Sequence, residues 1–190
     1  MVAFYASALD GLARNPALPK PLLLRLLAFD EGGDGPRRDV VQRAGLPEPV
    51  VVAILAHPDP GVRIDFAMSA RAEPAQRARL ADDPSPKVRA ALAYGPDRLA
   101  RTRVEPLPDA VCARLLDDPE SSVRTALLGS HHLAMSFVAS MAAHHDPAAR
   151  RGAVRAWEIL PPGEHRRCWP TPTPRCGGPR HWGSADGTHA

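Results

Sequence analysis

Four seven-residue segments of this chain align without a gap: HPDPGVR (57–63), DPSPKVR (83–89), DPESSVR (118–124) and HHDPAAR (144–150). Each follows a segment of common form: LPEPVVVAILA (46–56), AEPAQRARLAD (72–82), LPDAVCARLLD (107–117) and LAMSFVASMAA (133–143). A fifth, LPKPLLLRLLA, opens at Leu18. The copies start near 18, 46, 72, 107 and 133, at intervals of 28, 26, 35 and 26 residues. A short period of this kind makes each copy one supersecondary unit that cannot bury its apolar face alone, so neighbours must stack to complete a core. The long intervals mark insertions near 30–40 (EGGDGPRRD, 31–39) and near 97–106 (DRLARTRVEP). The first, with Gly32, Gly33 and Gly35, reads as a flexible, exposed segment.

Each copy reads as two helices. Leu22, Leu23, Leu26 and Leu27 follow the spacing of one helix face, as do Val50, Val51, Ile54 and Leu55, then Val111, Cys112, Leu115 and Leu116. The second helix begins with Asp59–Pro60, Ser85–Pro86 or Asp146–Pro147, an N-cap residue followed by proline in the first turn, where the missing N–H costs nothing. It then sets Val62 with Phe66, Val88 with Leu92 and Val123 with Leu127 one turn apart. Gly95 and Gly129 stand where C-terminal caps are expected. The third copy departs, with Gln76 and Arg77 in columns that are otherwise apolar. The expected fold is all-α, an array of short stacked helix pairs over residues 1–160, followed by a Pro/Gly-rich tail at 161–190 whose composition is that of disorder.

The pattern LP-x-x-ΦΦ-x-x-LLA-x-DP-x-x-VR-x-ALA-x-NP, with Φ apolar, resembles the HEAT-like repeats of bacterial proteins and, more closely, the leucine-rich repeat variant family. The opening LARNPALP (12–19) resembles the end of one such repeat running into the next, and the resemblance covers roughly residues 8–156. It implies a right-handed α-solenoid, in the variant family with α-helices alternating with 3₁₀-helices. Some members of that family carry an N-terminal iron–sulfur cysteine cluster. Here no cysteine precedes Cys112, so that cofactor does not carry over and none is expected.

Composition narrows the function classes. Aromatic residues make up only 5% of the chain, so its core is filled by Leu, Val, Ile and Ala, which suits helix-on-helix packing. Residues 1–160 hold 20 Lys and Arg against 19 Asp and Glu, a net of +1, and the tail holds 4 against 2, a net of +2. A near-neutral array weakens the case for nucleic acid. No apolar run approaches a membrane span, and the first residues lack the regions of a signal peptide. Three cysteines, Cys112, Cys168 and Cys176, form no disulfide framework and fit a cytoplasmic protein with reduced thiols.

Arg63, Arg89, Arg124 and Arg150 occupy one column. The favoured reading is a structural ladder, each guanidinium reaching an aspartate or a carbonyl at a neighbouring helix start, with Asp59, Asp83, Asp118 and Asp146 as partners. The competing reading is a row of cations tracking a polyanion. The second insertion breaks the period and carries Arg98, Arg101 and Arg103. Insertions in repeat proteins commonly line a binding face, so these three are the candidate partner contact. His131–His132 and His144–His145 are set aside as metal ligands, because adjacent helical residues point in different directions. No phosphate loop, metal motif or nucleophile–base spacing is present, so no catalytic residue is assigned. The chain is expected to be a non-enzymatic scaffold for another protein, with nucleic acid as the alternative partner and no membrane.

Overall fold

Proline starts most of the helices, and short connections fold each pair back on itself. The computed structural model describes residues 9, 11–29, 35–96, 104–160 and 164. Every regular element among them is helical, and none is a strand. No helix among them is long and apolar enough to cross a membrane. The chain divides into two compact units, Met1–Phe137 and Val138–Ala190.

In the first unit, α1 (Lys20–Leu27) is followed by α2 (Gly35–Val41), α3 (Glu48–Leu55) and α4 (Pro60–Ala67). Then come α5 (Pro74–Ala78), which runs on as a 3₁₀ turn over Arg79–Asp82, α6 (Pro86–Tyr94), α7 (Asp109–Leu116) and α8 (Ser121–Gly129). The second helices of successive copies pack on one another, α2 on α4, α4 on α6 and α6 on α8. The first helices do the same, α1 on α3, and the 79–82 turn on α7. Between the two rows lies the core. Val50, Val51, Ile54, Phe66, Val88, Leu92, Leu115, Val123 and Leu127 are fully buried there. Truncating Phe66 to alanine would cost about 3–5 kcal/mol, the usual loss for a buried phenylalanine.

The helix starts are built from two kinds of acceptor. Asp59 caps α4 by accepting the Gly61 N–H at 2.8 Å. Ser85 makes no such bond. The α6 start is held one step earlier, where Asp83 Oδ1 accepts the Ser85 N–H at 2.9 Å. Asp118 does the same for Glu120 at 2.9 Å, which explains how α8 starts without a proline. At the C-terminal ends the two glycines differ. Gly95 closes α6 with φ +79°, and a Cβ there would lie 3.2 Å from the His132 ring. Gly129 is instead the last residue of α8, with Ser130 as the cap, so it needs no left-handed conformation.

Two expectations are corrected. The segment 31–39 is not a loop throughout: from Gly35 onward it is α2, with Pro36, Val40 and Val41 buried. An apolar face of three residues is enough to seat a helix that stacks on α1 and α4. Residues 30–34 lie outside the described residues. Nor do α- and 3₁₀-helices alternate. The 3₁₀ turns at 79–82, 141–143 and 153–159 continue the helices before them. In the third copy the physical cause is visible: Arg77 occupies the column of Val51 and Cys112, and α5 is only 5 residues long.

The division between the units falls within α9 (Met135–Ser140). The second unit continues with the 3₁₀ turn Met141–Ala143, α10 (Pro147–Gly152) and the 3₁₀ segment Ala153–Ile159, packed around Met141, Ala142, Ala149, Ala153 and Ala156. Asp146 caps α10 by accepting the Ala148 N–H at 2.7 Å. Of the tail at 161–190, only Glu164 is among the described residues.

Candidate functional site

The arginine column is the most regular polar feature of the structure. Each member donates through Nη1 to the carbonyl six residues before it: Arg63 to His57, Arg89 to Asp83 (2.8 Å), Arg124 to Asp118 (2.6 Å) and Arg150 to His144 (2.9 Å). Each guanidinium thus clasps the turn inside its own copy. Two of them also reach the next copy. Arg63 Nε and Nη2 donate to the two carboxylate oxygens of Asp83 at 2.7 and 3.1 Å. Arg89 makes the same fork onto Asp118 at 2.8 and 3.0 Å. All four side chains are largely shielded from solvent. A bidentate guanidinium–carboxylate pair in that setting is strong and directional.

The electrostatics follow from these bonds. The Asp83 carboxylate raises the Arg63 guanidinium above its ordinary value, and Asp118 does so for Arg89. Reciprocally, the Arg89 bond, helped by the Glu120 N–H, holds the Asp118 carboxyl below the usual range. Asp59 and Asp146, the other two suggested partners, spend their side chains on capping their own helices.

The register reveals a further column member. Arg37 stands 26 residues before Arg63, the interval that separates Arg63 from Arg89. It lies on α2, which packs on α4 as α4 packs on α6. The spacing was there to be read, but the Asp–Pro signature that marks the other members is absent before Arg37.

Where Arg63 and Arg89 each meet an aspartate, the corresponding residue of the second copy is His57. Its Nδ1 accepts the Asp59 N–H at 3.1 Å, so the ring reproduces the capping role of Asp83 and Asp118. Between the first two copies lies a cavity of about 600 Å³, lined by Leu24, Leu27, Ala53, Ala56, Arg37 and His57 among others. The corresponding cleft between the third and fourth copies, about 430 Å³, is lined by charged residues: Asp82, Asp83, Arg89, Arg114, Asp117 and Asp118.

Arg98, Arg101 and Arg103 lie outside the described residues. Both flanks of their insertion are described, and each is tied down by a side chain. His132 Nε2 lies 2.8 Å from the Pro96 carbonyl, which only accepts, so the ring donates there. Arg77, only 2% exposed, donates through Nη2 to the Glu105 carbonyl at 3.1 Å, and burial lowers its affinity for a proton. The departure of the third copy from the apolar pattern therefore has a use: the buried cation anchors the chain where it re-enters the repeat.

Cys112 is 1% exposed, and burial, with the Asp109 charge adding to it, pushes its thiol up to about 11. It is a core residue with little thiolate at neutral pH. The argument against paired histidines needs correcting at 144–145. His144 ends a 3₁₀ turn in an extended conformation, so the two residues are not on one helix, and their ring centroids lie 4.2 Å apart. Compared with protein-family models, with curated proteins and with solved structures, the chain matches none.

Proposed function

We propose that the chain is a non-enzymatic interaction scaffold: a right-handed α-solenoid of the HEAT-like or leucine-rich repeat variant type, working in the cytoplasm and presenting a surface to another protein. The observation that carries this reading is the repetition of one inter-copy joint. Helix α4 packs on α6 and α6 on α8, with the same arginine clasp in four of the five copies and the same fork at two successive joints. Stacking of this kind builds an extended surface and spends polar side chains on rigidity. Within this reading the insertion with Arg98, Arg101 and Arg103 is a partner contact, and the bonds at Pro96 and Glu105 fix its two ends.

Nucleic acid is the weaker reading. It needs the arginine column free to meet phosphates, whereas Arg63 and Arg89 spend their donors on Asp83, Asp118 and backbone carbonyls. The test is a charge-reversed variant, Arg98→Glu with Arg101→Glu and Arg103→Glu. It should keep the thermal midpoint of the parent and lose cross-links to a protein partner in cells of the source organism. Duplex DNA and single-stranded RNA should show no binding in anisotropy titrations near physiological salt. Tight binding that falls steeply with salt would replace the scaffold reading with the nucleic-acid one.

A further inference from the structure

We propose that His57 makes the start of α4 a pH-sensitive turn: the neutral imidazole holds residues 57–59 in place, and mild acid releases them. In four copies one position has the same task, to accept the N–H two residues on. Asp83 does so for Ser85 and Asp118 for Glu120, both at 2.9 Å. In the second copy His57 Nδ1 accepts from the Asp59 N–H at 3.1 Å. In the second unit His144 Nδ1 accepts from the Asp146 N–H at 3.1 Å, so histidine serves in this way twice. A backbone N–H only donates, so the bond exists only while the ring nitrogen carries no proton. A carboxylate keeps its lone pairs free down to about pH 4, whereas an imidazole takes up its proton between about pH 5 and pH 8. The turn at 57–59 therefore answers to a change of pH that leaves those at 83–85 and 118–120 untouched.

That turn is the first link in a chain of bonds. Asp59, held by His57, accepts the Gly61 N–H at 2.8 Å and so caps α4. Arg63, one turn into the helix, donates to the His57 carbonyl and forks onto Asp83 of the next copy. His57 is half-buried and lines the cavity between the first two copies, so protons reach it. The charged groups around it are Arg37 from α2, Asp59 from its own turn and Arg63 from α4, whose charge Asp83 meets. Leu24, Leu27, Ala53 and Ala56, from α1 and α3, bring none. Glu31 and Asp34 lie outside the described residues, and carboxylates ordinarily titrate near pH 4, below the imidazole range. A proton on Nδ1 turns the acceptor into a donor and adds a cation to a turn that Arg63 already clasps, so the Asp59 N–H loses its partner. An imidazolium that turns to the Asp59 carboxylate instead competes with the Gly61 N–H for the same oxygens. On both routes the cap of α4 is present with the neutral ring and weakens as pH falls.

The test is amide hydrogen exchange on the full chain, read residue by residue by NMR between pH 7.5 and pH 5.5 and corrected for the intrinsic pH dependence of exchange. Protection of the Asp59 amide should fall by about fivefold or more across that range, while that of Ser85 and Glu120 changes by less than about twofold. Imidazole nitrogen shifts at pH 7.5 should show the His57 proton on Nε2 and none on Nδ1. In His57→Asn the side-chain carbonyl accepts at every pH, so the Asp59 amide should lose its pH dependence. Glu31→Gln with Asp34→Asn should leave the fall in place. If His57→Asn does not fold, the ring nitrogen shifts and the comparison of Asp59 with Ser85 and Glu120 in the parent decide alone. Unchanged protection at Asp59, an equal change at all three amides, or a proton on His57 Nδ1 at pH 7.5 overturns the proposal. So does a fall that persists in His57→Asn, or one that Glu31→Gln with Asp34→Asn abolishes, because the titrating group would then be another.

Discussion

The joints between α4 and α6 and between α6 and α8 carry a buried arginine–aspartate fork, whereas where α2 packs beside α4 the corresponding column residue is His57, beside a cavity of about 600 Å³. The helices on either side are similar in length, 7 to 9 residues, and stack in the same order. What differs is one column: Asp83 and Asp118 at the forked joints, His57 at the other. The backbone frame tolerates the change because both side chains satisfy the same N–H two residues on. Capping and cross-linking are thus separable duties of one position. At positions 83 and 118 aspartate performs both, and at position 57 the imidazole performs the capping.

The comparison breaks most sharply at a forked joint. Asp83→Ala leaves the Arg63 guanidinium buried without its counter-charge and should cost about 3–5 kcal/mol in urea unfolding. Replacing both partners, Arg63→Met with Asp83→Leu, should recover most of that loss, because the desolvation cost of the charges disappears with them. Were the double variant as unstable as the single one, packing rather than the ion pair would hold the joint.

Acid should act on the forked joints next. The Asp118 carboxyl is depressed in the folded protein, so the stability it contributes is present above the ordinary carboxylate value of about 3.9 and is lost as pH falls through the lower, folded value. Arg89 is raised and keeps its proton throughout that range. Urea midpoints measured from pH 5 to pH 2 should therefore fall, and less steeply in Asp118→Asn. His57→Asn should leave the slope below pH 4 unchanged, since position 57 itself carries no carboxylate.

Smaller effects sharpen the picture. Cys112→Val should change stability by less than about 1 kcal/mol, since Val51 fills the same column two copies earlier. In the parent, iodoacetamide at pH 8 should spare Cys112 until the chain is unfolded, given a thiol near 11. Peptide mapping by mass spectrometry reads that directly.

Helix content and most buried positions were legible in the sequence because they depend on local spacing. Val50, Val51, Ile54, Val88 and Leu92 are apolar at helical intervals, and all five are buried. Local signals failed where an element carried too little of its own. Helix α2 has no Asp–Pro start, three glycines precede or open it, and its contacts with α1 and α4 and the Arg14–Asp39 ion pair help hold it in place. Arg37 was missed with it. Arg77 was visible as an irregularity but not as an anchor, because Glu105 is 28 residues away.

What the sequence by itself determined is the period, the helix pairs and the arginine column, since each follows from which residues recur at which interval. Only the tertiary structure decided which arginines close a joint. A fork needs two oxygens within about 3 Å of two nitrogens, and residues 20 or 29 positions apart meet that condition only when one copy is laid against the next. It also decided that His57 faces a cavity. An unfilled volume is a property of several side chains from different helices, and no local stretch of sequence contains it.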